Sequence, residues 1–169
     1  MEIYNKDRKY MRLVADILYH PEFQKMKDIV HHGMNRYEHC VRVSYFSYKL
    51  CKMLHLEYEK VARAGLLHDF FFEDNEAIDS KKERAEIMVK HPQYALENAE
   101  KYFTLSDLEK DIILTHMFPV APMVPKYMES WIVDFIDDLV SVYEKSFSVK
   151  RELSAAMSFL MIVSMNFLR

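Results

Sequence analysis

Histidine and aspartate stand side by side at His68-Asp69, closing the apolar stretch Gly65-Leu66-Leu67. Counting back from His68, Gly65, Ala64 and Val61 fall three, four and seven residues away, so the imidazole continues the inward face of an amphipathic helix. A buried imidazole beside a buried carboxylate is costly unless each is hydrogen-bonded, paired or bound to a metal. Similar side chains recur at comparable places. His39 heads a stripe of Val43, Phe46, Leu50 and Met53, which follow it at +4, +7, +11 and +14. His116 ends a face carrying Leu105, Leu108, Ile112 and Ile113. Val133 and Val140 flank Asp137 at −4 and +3 and draw it toward an interior, whereas Asp138, with Asp134 at −4 and Ser141 at +3, reads as solvated. His91 precedes Pro92 and reads as a residue near a helix cap, or as a further ligand. Imidazoles and carboxylates together suit iron, manganese, cobalt, nickel or zinc, and the lack of nearby cysteine thiolates argues against a structural zinc site. The signal is collective, since any one of these histidines alone reads as well as a core or surface residue.

The elements that must position this set are helices. The chain has 169 residues, enough for one domain with a sizeable core, and half of them are apolar with a helical period. Only two glycines occur, Gly33 and Gly65, too few for the turns of a sandwich or a Rossmann fold, so the class is all-α. A net charge of −3 without a block of like charges does not indicate nucleic-acid binding through a basic patch. Cys40 and Cys51 lie on one helix, about 16 Å apart at 1.5 Å per residue, and cannot bridge each other. The first twenty residues hold no signal-peptide core. The most apolar run, Ala155 to Leu168, is interrupted by Ser158, Ser164 and Asn166 and is shorter than the ~20 residues of a membrane span. A soluble protein in a reducing, cytoplasmic setting is expected.

In order, helices are predicted over residues 7–19, over Pro21–Val30 with His31-His32-Gly33 as its end, and from Tyr37 onward past Met53. His55 reads as a surface or helix-end residue. The next helix, from about Tyr58 to Phe71, carries His68-Asp69. After the polar turn Glu73-Asp74-Asn75, the capping-box spacing of Ser80 and Glu83 starts a helix that ends near Lys90, and His91-Pro92 starts another. A second capping box, Ser106 and Glu109, opens the helix to His116. Three prolines between Phe118 and Pro125 exclude a helix there and make a rigid loop suited to walling a pocket. A helix from about Lys126 to Tyr143 holds Asp137, and a final one, Lys150 to Leu168, suits a core position or a homodimer contact.

Three segments in this order, His39 within YEHCVRVS, His68-Asp69 within AGLLHDFF and Asp137 within IVDFIDDLV, resemble the HD-domain superfamily of metal-dependent phosphohydrolases. Its pattern is a histidine, an adjacent His-Asp pair and a distal aspartate. The resemblance runs from about Tyr37 to Tyr143 and implies a single HD-type helical domain over residues 1–169, with a motif-bearing core at about 37–143. Some members add two histidines between the pair and the distal aspartate and hold two metals; His91, in His-Pro-Gln-Tyr-Ala, and His116, in Leu-Thr-His-Met, stand in those intervals. The resemblance then implies that Asp69 bridges two ions, with His39, His68 and Asp137 completing one sphere and His91 and His116 the other. A water shared by such ions would attack phosphorus in line.

The expected activity is hydrolysis of a phosphate ester or anhydride, of a nucleotide or dinucleotide, with the dinucleotide tetraphosphate hydrolases among the similar enzymes. Phe70 to Phe72 replace the Gly and Lys that follow His-Asp in the cyclic-dinucleotide phosphodiesterases, and no Gly-Tyr-Pro triplet occurs, which argues against that substrate. Asp69, Glu73 and Arg42 are the candidate catalytic residues, Glu73 and Asp74 reading equally as surface turn residues. Arg36, Arg42 and Lys126 are candidate phosphate contacts, and Phe70 to Phe72, Tyr94 and Phe118 could stack a base. Two other classes stay open: a non-catalytic HD module that binds a nucleotide or metabolite, and a di-iron oxygenase, which would need no phosphate-directed cations.

Overall fold

A computed structural model describes residues 3–31, 34–72 and 80–146 of the chain. It is all-α apart from one two-residue ladder. The Asp7 carboxylate caps α1 (Arg8–Leu18) by accepting from the Lys9 and Tyr10 amides. His20 caps the single turn α2 (Pro21–Gln24), whose first residue is proline, and a 3-10 turn, Lys25–Asp28, follows. Strands β1 (Val30–His31) and β2 (Met34–Asn35) pair antiparallel, Val30 opposite Asn35 and His31 opposite Met34. Asn35 then caps α3 (Arg36–Met53). The remaining helices are α4 (Tyr58–Leu67), α5 (Lys81–Tyr102), α6 (Asp107–Thr115) and α7, residues 128–146. Among the described residues no helix is long and apolar enough to cross a membrane.

Helix α4 lies against α3 at a close approach that only glycine permits. A Cβ added at Gly65 would stand 2.8 Å from Ser44 Cα. The hydroxyl of Ser44 donates to the Ala62 carbonyl (2.6 Å) and is itself 2.8 Å from the Tyr10 hydroxyl, so the junction of α1, α3 and α4 has its polar groups satisfied. Around it Val14, Ile17, Val43, Val61, Leu66, Ile112 and Val133 form a continuous core. Cys40 and Cys51 are buried free thiols, as their separation on α3 requires.

Four local expectations are corrected. The helix expected over Pro21–Val30 is the single turn α2 followed by the 3-10 turn that ends at Asp28, and Val30–His31 is strand, because its backbone pairs with Met34–Asn35 instead of continuing a helix; His32-Gly33 lies outside the described residues. Phe46 and Met53 point outward, at 47 % and 68 % exposure, because the inward face of α3 is rotated toward His39, Cys40, Val43, Ser47 and Cys51. Helix α4 ends at Leu67, so His68 is its cap and Phe70 and Phe71 follow in a non-helical segment. Helix α5 runs unbroken through Pro92, placing His91 in mid-helix instead of near a cap; the hydrogen bond that proline forgoes is the one to Met88, whose surroundings are exposed to water. The predicted turn Glu73-Asp74-Asn75 and the final helix 150–168 lie outside the described residues.

Candidate metal centre

Six buried side chains from five places in the fold converge: His39 from the first turns of α3, His68 and Asp69 after α4, His91 from the middle of α5, His116 at the end of α6, and Asp137 from α7. His39 Nε2 is 2.9 Å from Asp137 Oδ1, which is 3.6 Å from His68 Nε2. The Asp69 carboxylate lies between two groups. Its Oδ2 is 3.9 Å from His68 Nε2, while its Oδ1 is 3.1 Å from His91 Nε2 and 3.5 Å from His116 Nε2. His91 and His116 bring their Nε2 atoms within 2.9 Å of each other.

Local backbone chemistry aims these rings. His68 Nδ1 donates to the Gly65 carbonyl and His116 Nδ1 to the Ile113 carbonyl, each at 2.8 Å and each to the residue three positions earlier at a helix end. With Nδ1 carrying the proton, the Nε2 lone pair of a neutral ring points into the centre. His39 is aimed by a side chain instead: its Nδ1 is 2.9 Å from Glu144 Oε2, and the other oxygen of Glu144 accepts from Arg42 Nη1 at 2.7 Å. The consequence is a cluster of acceptors facing acceptors. His68 Nε2 and Asp137 Oδ1 are buried and make no aligned hydrogen bond among the described residues. Such a set is repulsive until a cation or protons are supplied, and two sub-groups, His39-His68-Asp137 and His68-Asp69-His116, bring their ligand atoms close enough to share one ion. The donor set of nitrogen and oxygen therefore fits divalent metal.

The electrostatics agree with that reading. Burial disfavours charge on His39, but the carboxylates of Asp137 and Glu144 outweigh it and push its pKa up to about 10. Burial likewise opposes charge on His68, yet the Cys40 sulfur and the Asp69 and Asp137 carboxylates raise it well above the ordinary imidazole range. Asp69 and Asp137 are held well below the usual carboxylate range, because the facing histidines overcome the burial that would raise them. His116 moves down, since burial and the neighbouring His68 and His91 rings prevail over Asp69. One turn before Asp137, burial and the charges of Asp138 and Asp137 push Asp134 up to about 7. The outward Asp138 matches its solvated reading; the burial of Asp134 was not expected.

The cationic candidates fall elsewhere. Arg36 is wholly buried, with Nη1 donating to the Phe71 carbonyl at 2.6 Å and its guanidinium 3.7 Å from the Phe71 ring centre. Phe71 in turn packs on His91, ring centres 4.8 Å apart. Arg42 is held by Glu144 and, at 3.7 Å, by Glu38. Lys126 is exposed on the segment entering α7, where its amide and the Ser130 hydroxyl both donate to Asp111. Glu73 and Asp74 lie outside the described residues. Phe70 and Phe71 are buried, while Phe72, Tyr94 and Phe118 keep partial exposure.

Glu144 was missed in the sequence reading. It stands seven residues after Asp137, and that spacing of two helical turns was the available signal. Over residues 36–141 the chain matches the family described as the HD domain, a span that holds all six converging residues and ends before Glu144. No curated protein and no solved structure is matched.

Proposed function

The chain belongs to the HD-domain family, and from that premise we propose that it is a metal-dependent phosphohydrolase acting on a phosphate ester or anhydride of a nucleotide or dinucleotide. Metal-dependent hydrolysis is the chemistry typical of the family, and the buried histidines and aspartates are a donor set for divalent ions. The observation that carries the dinuclear form of the proposal is the position of Asp69, with one oxygen toward His68 and the other toward His91 and His116. On this reading His39, His68 and Asp137 would hold one ion, His91 and His116 would hold a second, and Asp69 would serve both. Bound metal would supply a water of lowered pKa and stabilise charge on the phosphoryl oxygens.

The chain's own groups have separate tasks. The Gly65 and Ile113 carbonyls and the Glu144 carboxylate keep the Nδ1 protons of His68, His116 and His39, so that each Nε2 is presented as a ligand. Arg42 neutralises Glu144 and so acts as a positioning residue. Arg36 has the same standing: through Phe71 it backs the ring of His91. Lys126 stays a cationic candidate for the substrate, and Phe72 and Phe118, three and two residues after Asp69 and His116, stay candidates to stack a base. The engagement of both arginines by groups of the chain itself favours a second reading, an oxygenase using two iron ions, for which phosphate contacts are unnecessary.

The test is elemental analysis of protein purified without chelator or nickel affinity, beside Asp69→Ala and His91→Ala. About two ions in the parent, about one after loss of His91 and almost none after loss of Asp69 are expected of a two-metal site. The loaded protein is then assayed for phosphate release from mono-, di- and cyclic nucleotides and dinucleoside polyphosphates, and for oxygen uptake. Phosphate release from one of these classes is expected; oxygen uptake without it would overturn hydrolysis in favour of the oxygenase, and no bound metal would overturn both.

A further inference from the structure

Three of the four histidines at the centre are aimed by a hydrogen bond at Nδ1, and His91 is the exception. Its Nδ1 is buried and has no hydrogen-bond partner among the described residues, while its Nε2 faces Asp69 and His116. An imidazole whose second nitrogen is unbonded lacks the restraint that ordinarily fixes the ring of a metal ligand. What bears on this ring is an aromatic face. The Phe71 ring lies 4.8 Å from that of His91, centre to centre, with the planes 32° apart. Phe71 also carries the guanidinium of Arg36, 3.7 Å from its ring centre. Both are buried, and a cation over a ring is held more firmly there than at an exposed site.

The backbone that bears Phe71 is held from two helices. Arg36 Nη1 donates to the Phe71 carbonyl at 2.6 Å, and Asn98 Nδ2 donates to the Phe70 carbonyl at 3.1 Å. The Phe71 amide donates to the Asp69 carbonyl at 2.8 Å. Asn98 stands seven residues after His91, two turns along the same face of α5, so the helix that presents the imidazole also anchors the segment that bears the phenyl ring. Arg36 fixes that segment from α3. A lysine there would keep the charge and lose the flat face and the fork of donors.

We infer that Arg36 and Phe71 are positioning residues for His91, their stack standing in for the Nδ1 hydrogen bond that the other three histidines have. The consequence, which rests on the two-metal reading, is that the second ion depends on the stack and the first does not. His39 and His68 keep their own Nδ1 bonds to Glu144 and Gly65, neither of which involves Phe71.

Phe71→Leu keeps apolar bulk without the flat face, and Phe71→Tyr keeps the face. The full-length chain, stripped with chelator, is titrated with cobalt(II) in a calorimeter, and the binding step that vanishes in His91→Ala identifies the second ion. That step is expected to weaken about 10- to 100-fold in Phe71→Leu and in Arg36→Lys and to return in Phe71→Tyr, with the other step unchanged. Equal weakening of both steps, or a Phe71→Tyr no better than Phe71→Leu, would overturn the inference and reduce the stack to ordinary packing. A single binding step in the parent would sink the two-metal reading instead, and the metal-free protein then decides the stack. There, imidazole NMR signals of His91 are expected to broaden through ring reorientation in Phe71→Leu and to stay sharp in the parent and in Phe71→Tyr, those of His116 staying sharp throughout. Equally sharp His91 signals in all three would overturn the inference whatever the ion count.

Discussion

Glu144 uses both of its oxygens, one on His39 and one on Arg42, and both contacts are buried or nearly so. A carboxylate behind a metal-binding histidine fixes the ring and raises its basicity, so its loss weakens the centre without removing a ligand. Glu144→Gln is expected to lower metal affinity about 10- to 100-fold in a chelator competition, whereas Glu38→Gln, on the outer side of Arg42, should leave it unchanged. Protons compete for the same atoms. The pKa of His39 rises from 6.5 to about 10, so its stabilising contribution to chelated protein is full below pH 6.5 and is lost as pH climbs through 10. For Asp137 the pKa falls below 3.8, and its contribution is present above that value and lost in acid. Metal requires the neutral imidazole, so between pH 6.5 and 10 binding must displace the His39 proton. His68, raised likewise, must also give up its proton, so apparent affinity should rise by at least about tenfold per pH unit in that window, and titration calorimetry in buffers of different ionisation enthalpy should register the released protons.

At the scale of elements, the placing of His68 depends on how closely α4 approaches α3. Gly65 supplies both the contact with Ser44 and the carbonyl that holds His68 Nδ1. Gly65→Ala forces a Cβ to within 2.8 Å of backbone and must move one helix. It should cost about 1–3 kcal/mol in urea unfolding, as overpacked core sites do, and lower metal content along with stability. In α6 the complete capping box of Ser106 and Glu109 sets the start of the helix, and His116 then falls at its end by length alone. At Ser80 only half of such a box forms, the hydroxyl accepting from the Glu83 amide, and α5 nonetheless runs to Tyr102. Its course through Pro92 is what puts His91 opposite His116.

For the whole molecule, the centre lies where α3, α5, α6, α7 and the segment after α4 come together, so metal and fold are linked. Ligands that bind only the folded chain stabilise it by mass action, about 2.7 kcal/mol at a hundred times the dissociation constant. Removing the metal by chelation should lower the Tm by about 5–10 °C in a chain of this size, and restoring the ion should recover it. Asp69→Ala should make the Tm indifferent to chelator, which calorimetry with and without added metal will show.

The all-α class was legible because helical periodicity is a local property, and scarce glycine excludes the alternatives. Of the six converging residues, His39, His68, Asp69, His116 and Asp137 were legible for the same reason, each lying at the end or on the inner face of an apolar stripe, whereas His91 read locally as a residue near a helix cap or as a further ligand. Tertiary structure alone decided what stands behind them. His39 and Glu144 are 105 residues apart, and nothing local at either position announces the other. Arg36 and Arg42 beside the first histidine read as phosphate contacts, and the meeting of one with Phe71 and of the other with Glu144 is visible only in the fold. Pro92 reads locally as a helix start, yet the packing of α5 against α6 carries the helix through it. Period and capping are written within one turn of chain, whereas the partners of a buried charge are set by which helices meet.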